Sequence, residues 1–393
     1  MNDGIKICIA CGQNFNLEAE DFEYLKKIDV PAPTLCPDCR AQRRIAFRND
    51  WCIYGRKCDL CGKSVMSIFS LDKPFKVFCQ DCYYSDNWDP LESGIDFDFS
   101  KPFFDQMDEL IKKTPFINTV ISNSTNCDYN TNVVNSKDCY MSSRLGDAEG
   151  ALYSYLPIKS INCIDCYNVI SSQLAYQCID SWNLYNCMYC VRSRNVSDSA
   201  FCYECIGCKN CFGCVGLRNV EYYFFNKKCT KEEYEEKMKN VDLSTQEKLN
   251  AMFNKFFVEH LGKYPRRANI IINGQNVNGD YIANAKDVRS SFDIDTCEGV
   301  AHSWGVEFSK DIYDGCFVYK AERAYEVVGD FGSMNVRFAV LPYTCHDADY
   351  TIFCSNNTGD CFGCVSLKQK QYCILNKQYS KEDYFVLRDK IIE

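Results

Sequence analysis

The sequence predicts a mainly β chain: two narrow, right-handed β-solenoids of twelve residues per coil, with helical caps, preceded by a module with two four-cysteine sites. Three observations predict this. Cys166, Cys178, Cys190, Cys202 and Cys214 recur every twelve residues. Four Cys-x2-Cys pairs crowd the N-terminal region. The segment CFGCVGLRNVEYYFFNKKCTKEEY at 211–234 returns at 361–384 as CFGCVSLKQKQYCILNKQYSKEDY.

The N-terminal pairs are Cys8 and Cys11, Cys36 and Cys39, Cys58 and Cys61, and Cys79 and Cys82. Two residues between cysteines let one tight turn aim both sulfurs at one ion, and four thiolates complete a tetrahedral zinc site. Economy of loop closure groups Cys8, Cys11, Cys36 and Cys39 as one site, and Cys58, Cys61, Cys79 and Cys82 as the other; an interleaved pairing is the alternative. Two structural zinc ions are expected, with no open position for catalysis. Gly12 and Gly62 follow the second cysteine of their pairs, where a left-handed turn is needed. Cys52 is left over and is expected in packing.

Between the sites run Arg40, Arg43, Arg44, Arg48, Arg56 and Lys57, with residues 38–49 helical. These cations suit phosphate or an acidic protein surface. The alternative is internal pairing with the acidic stretch DNWDPLESGIDFDF at 86–99. Tyr83, Tyr84 and Trp88 form either a stacking surface or a small core. Residues 99–114 are expected as one helix, with Ser100 at its N-cap and Pro102 in its first turn.

The cysteine period continues backward through Ser154, Ser142 and Asn130, and parallel columns lie three residues away, as in Val133, Leu145, Pro157 and Val169. A lap of twelve encloses little volume, so its interior admits only small or slim side chains, the composition of these columns. Outward positions stack Tyr140, Leu152, Ile164, Tyr176 and Met188. The period returns in Ala285, Cys297, Ser309, Ala321, Ser333 and Cys345, and in Ile270, Ile282, Ile294, Val306 and Val318. It slips by one before Cys361, so an insertion is expected near 355–360. An open end of such a stack exposes unpaired backbone, and the recurring segment leads each time into a helix-prone run that would cover it. Residues 230–262 read as helices with a turn near Asp242. The expected division is 1–98 for the cysteine module, 99–225 for the first solenoid, 226–267 for a helical insert, 268–375 for the second solenoid and 376–393 for a terminal cap.

Cys202, Cys205, Cys208 and Cys211 fill all four inward columns of one lap. Thiol packing, a local disulfide pair and a third metal site are the alternatives. Asp293, Asp295, Asp311 and Asp314 are either turn residues or carboxylates of an outer groove acting on glycans.

The run from PAPTLCPDC through KCDLCGK, DKPFKVFCQDC and SDNWDP resembles a family of uncharacterised bacterial zinc-ribbon proteins. It rests on Cys36–Cys39, Arg40–Arg44, Cys58–Lys63, Asp72–Phe75 and Asp86–Pro90. The resemblance implies zinc binding and brings no activity. The twelve-residue coil is similar in architecture to that of beetle antifreeze proteins, whose flat Thr-x-Thr ladders are missing here.

The chain has 393 residues, 29 of them Cys, and a formal charge of -9, so no global basic field attracts nucleic acid. No apolar run is long enough to span a membrane. The start MNDGIKICIACG lacks the apolar stretch of a signal peptide, so a reducing, cytoplasmic setting is expected. Together these features predict a non-enzymatic scaffold. Its N-terminal module would dock RNA, a ribonucleoprotein or an acidic protein surface, and its solenoid faces a protein partner. The alternatives are a glycan-acting enzyme, or a thiol- and metal-handling protein using the inward cysteines.

Overall fold

The computed structural model describes residues 4–307, 312, 314–316, 318, 321–323, 325–329, 346–355 and 358–393. Two small units of like design open the chain. In the first, β1 (Ile5–Ile7) and β2 (Asn14–Asn16) form an antiparallel hairpin, followed by α1 (Ala19–Lys27) and α2 (Pro37–Ile45). In the second, β3 (Tyr54–Lys57) pairs with β4 (Ser64–Ser67), and β5 (Val77–Phe78) leads into the short α3 (Gln80–Tyr83). α2 ends near Ile45, four residues before the expected limit.

α4 (Phe103–Lys113) has Pro102 at its N-cap. The expected cap, Ser100, instead donates its hydroxyl to Asp98 at 2.7 Å. β6 (Phe116–Ile117) pairs in parallel with β5. Leu110, Phe116, Val77, Phe78 and Tyr83 then share one buried cluster with Phe362, Ile374 and Tyr384 from the far end of the chain.

From Ile121 onward the strands pair in parallel with partners twelve residues ahead. Examples are Ile121 with Val133, Val169 with Ser181, Leu184 with Val196, and Cys202 with Cys214. The inward residues form a continuous buried column that includes Cys166, Cys178, Cys190 and Cys202. We call this the first stack.

The backbone explains the period. From Asn132 to Phe225 every third residue has a positive φ, between 44° and 68°, and each sits just before an inward residue. Each lap of twelve therefore turns four times. The left-handed conformation costs an ordinary L-residue roughly 1–2 kcal/mol, and Gly, Asn and Asp tolerate it best. Those types supply many of these corners, and their side chains join adjacent laps. Asn126 donates to Asp138 at 2.9 Å, Asn168 to Asp180 at 3.0 Å and Asn186 to Asp198 at 2.9 Å.

The interior is hydrogen-bonded as well as packed. The Ser160 hydroxyl donates to the Ile158 carbonyl at 2.9 Å and accepts the Ser172 N–H at 3.2 Å. Ser154 and Ser193 do the same for Cys166 and Cys205. The cysteines reach equivalent carbonyls: Cys178 Sγ lies 3.5 Å from the Tyr176 oxygen and 3.7 Å from the Cys187 oxygen.

Two further four-stranded sheets follow the same logic with register changes. In the second stack Ile282 pairs with Ile294 at twelve, but with Ile271 at eleven. The expected Ile270–Ile282 column is thus one residue off, because the register shifts between Val277 and Gly279. In the third stack Ser355 pairs with Lys368 at thirteen, whereas Gly359 pairs with Gln371 at twelve. The extra residue lies between Ser355 and Gly359, within the expected window. Ser309, Asp311, Ser333 and Cys345 lie outside the described residues.

The recurring segments have the same geometry. Glu221–Phe224 turns back on Lys227–Lys228, and Gln371–Ile374 on Lys377–Gln378. Phe225 and Asn226, like Leu375 and Asn376, carry the paired positive φ angles of a tight hairpin. α5 (Lys231–Lys239) follows the first hairpin with Thr230 and Glu233 in a capping box. α6 (Gln246–Phe253) comes next, and α7 (Lys381–Ile392) follows the second hairpin, capped by Ser380.

Candidate metal centres

The eight cysteines gather in two groups of four: Cys8, Cys11, Cys36 and Cys39, and Cys58, Cys61, Cys79 and Cys82. Within each group all sulfurs lie within 4.8 Å of one another. Among the described residues these are the only groups of that kind.

Both are built alike. Cys8 and Cys11 sit in the β1–β2 turn, where the Cys8 N–H bonds to the Gln13 oxygen and the Gly12 N–H to the Cys8 oxygen, both at 2.9 Å. Cys58 and Cys61 repeat this with Lys63 and Gly62 at 2.8 and 2.9 Å. Gly12 and Gly62 have φ of +73° and +75°. The other two sulfurs of each group come from a helix start: Cys36 is the N-cap of α2 and Cys79 that of α3. There the Cys39 N–H points at Cys36 Sγ at 3.5 Å, and the Cys79 N–H at Cys58 Sγ at 3.2 Å.

The dimensions suit zinc. A tetrahedral ion with bonds of about 2.3 Å sets its sulfurs about 3.8 Å apart. Cys11 and Cys36 are 3.8 Å apart, as are Cys61 and Cys79. Charge agrees with geometry. Burial alone would raise the Cys8 thiol, but the N–H groups of Cys36, Cys11 and Ala10 outweigh it and bring the group down to about 6. Cys58 is likewise brought to about 6, by the N–H groups of Cys61, Cys79 and Leu60 against burial. The neighbouring Cys36 and Cys11 thiols push Cys39 up to about 12. A cation among the four sulfurs would relieve that crowding. With four protein ligands no coordination position is left for a substrate.

The cations between the groups are mostly spent within the fold. Arg40 and Arg44 are buried, with Arg40 Nε 2.5 Å and Arg44 Nη2 3.2 Å from the fully buried Asp314 carboxylate. Arg43 pairs with Glu326, Arg48 with Asp50 at 3.0 Å, and Arg56 with Asp59 at 3.1 Å. The expected acidic stretch 86–99 is not their partner; its Asp96 pairs with Lys377 instead. Lys57 remains exposed, and Arg43 is half exposed. Asp314 is consequently no outer-groove carboxylate. Asp295 is not a turn residue but the last residue of the strand Lys286–Asp295, where it accepts from Asn284 at 3.1 Å and from Thr296 at 2.9 Å.

Cys202, Cys205, Cys208 and Cys211 are buried, each with its thiol directed at backbone carbonyl oxygens, as from Cys208 to Ile206 and Leu217, both at 3.4 Å. Their sulfurs are not among the close four-sulfur groups. Cys52 is exposed rather than packed, since Asn49 holds the turn through the Cys52 N–H at 2.9 Å. Tyr83 and Trp88 are core, with Lys368 Nζ 4.0 Å from the Tyr83 ring centre.

Comparison of the chain with protein-family models and with curated proteins finds no match. No helix of the described residues is long and apolar enough to cross a membrane.

Proposed function

We propose that this protein is a non-enzymatic, zinc-stabilised binding scaffold. The observation that carries the reading is the pair of closed four-sulfur clusters, each spaced for a tetrahedral ion and each without a free coordination position. Two zinc ions hold the N-terminal units, bounded by residues 1–98. The first stack is one narrow solenoid of twelve-residue coils, at 99–225, and the second and third stacks together form another, at 268–375, both right-handed by preference. The segments 226–267 and 376–393 serve as their helical caps.

Two features support the scaffold. The chain spends much of its length on regular laps whose polar groups are largely satisfied internally, which yields long rigid faces. The interior thiols act as hydrogen-bond donors, a role that needs them reduced, as in the cytoplasm. At the N-terminal module Lys26, Lys27, Lys57, Lys63, Lys73 and Lys76 are exposed, Arg43 is half exposed, and Trp51 is 68% exposed. An acidic surface, on RNA or on a protein, is the partner chemistry that fits them.

Metal analysis of the purified chain tests the reading. Two zinc per chain are expected, falling to one in Cys36→Ser and in Cys79→Ser. A chain that folds with no zinc, or carries three, overturns it.

A further inference from the structure

The outward ladder of the first stack is covered over one half and open over the other. Tyr140 pairs with Leu152, Leu152 with Ile164, Ile164 with Tyr176, and Tyr176 with Met188, and the same column continues through Ala200 to Phe212. At its far end the segment from α6 to Leu261 lies on it. Phe256 and Phe201 have no exposure, their ring centres are 5.9 Å apart, and Leu249, Met252, Phe257 and Leu261 join the same cluster. At its near end Tyr140 is 43% exposed, and Ile164 and Tyr176 are each 37% exposed. The adjoining column adds exposed Tyr129, Met141 and Tyr153. The halves are continuous: Tyr176 meets Tyr189 at 5.6 Å, and Tyr189 meets Phe253 at 5.9 Å.

We infer that the open half is a docking face for an amphipathic helix of a partner protein, with an aromatic stripe and basic flanks. The inference rests on the scaffold reading above. The chain's own segment shows which element fits this ladder: it combines Phe253, Phe256, Phe257 and Leu261 with Lys248, Lys255 and Lys263. The five open rungs from Tyr140 to Met188 span about 19 Å at strand spacing, the length of a helix of about 13 residues. The backbone groups here are already paired between laps, so an added strand has nothing to bond. The partner must be read through side chains, as a helix is. Leu152 and Ile164 interrupt the tyrosines, which spoils the face as a platform for stacked bases. Exposed Asp128 and Asp165 at its rim repel phosphate and favour lysines.

The test uses a fluorescein-labelled synthetic peptide of residues 244–264 as the probe, titrated with the full-length zinc-loaded protein and followed by anisotropy. Saturable binding is expected. It should weaken at least about tenfold in Ile164→Asp, the loss typical of an interface centre, and in a peptide carrying Phe256→Ser and Phe257→Ser. If Ile164→Asp does not fold, Tyr140→Ser gives the same readout. Zinc content and circular dichroism of each variant separate a lost face from a lost scaffold. Absence of binding up to about 1 mM peptide, binding indifferent to the stack variants, or preferential binding of oligouridylate, of lipid vesicles or of a second copy of the chain overturns the inference.

Discussion

Arg40 and Asp314 stand 274 residues apart in sequence, yet Arg40 Nε lies 2.5 Å from Asp314 Oδ2 with both side chains wholly buried. Arg44 shares the same carboxylate at 3.2 Å. The helix that begins at a zinc-ligand candidate is thereby pinned to a distant part of the chain.

Breaking this contact should be costly. Removing one partner of a buried ion pair leaves an uncompensated charge, a loss of about 3–5 kcal/mol. Asp314→Ala is expected to lower unfolding free energy by that amount in chemical denaturation. A loss below about 1 kcal/mol would mean that water reaches the guanidinium groups.

The two knuckle glycines make a cleaner case. An added Cβ at Gly62 meets nothing within 4 Å, so an alanine there suffers only the left-handed φ of +75°. Gly62→Ala should weaken zinc retention in a chelator competition by about 1 kcal/mol, and Gly62→Asn by less. Equal affinities for all three would show that the turn tolerates another conformation.

Inside the first stack, the hydroxyl at Ser160 both donates and accepts. Ser160→Val leaves the Ser172 N–H unpaired and is predicted to cost about 1–3 kcal/mol. Ser160→Cys should be milder, because cysteines at equivalent places make the same donation. Thermal melts of the two variants order them.

Acid should loosen the covering segment before it unfolds the stack. His260 is held below its ordinary value by burial first, and then by Lys263 and Lys255, with its ring against Phe225 and Tyr264. Its folded value lies below the unfolded one, so the unfolded form binds more protons in between. Stability is full above the unfolded value of about 6.5 and is lost progressively as pH falls from there through the lower folded value. Amide hydrogen exchange of residues 246–264 should quicken between neutral pH and about pH 5.5. His260→Phe should abolish that change; a response that survives the substitution must come from other groups.

The parts legible in the sequence are those with local or periodic causes. Cys-x2-Cys spacing marks the two sulfur groups because a turn and a helix start need only nearby residues. The twelve-residue column appears because each lap repeats one steric problem. A further signal was also present: asparagine, aspartate or glycine before many inward residues, as at Asn126, Asn162, Asp198 and Gly207, where the chain turns left-handed. The partner of Arg40 had no such marker, since a long-range ion pair has no characteristic spacing. The eleven-residue pairing at Ile271–Ile282 was equally hidden, because adjacent isoleucines fit either register.

Regular pairing at twelve has a consequence for how the chain can change length. Excision of residues 168–179 would bring Tyr167 against Asp180 with every later corner still meeting a corner and every later interior residue an interior one. Excision of eleven would rotate all that follows. Growth and shrinkage of the first stack are therefore quantised, and its reach is adjustable in whole steps without redesign of either end, whereas the other two stacks absorb a single lost or gained residue at a register shift.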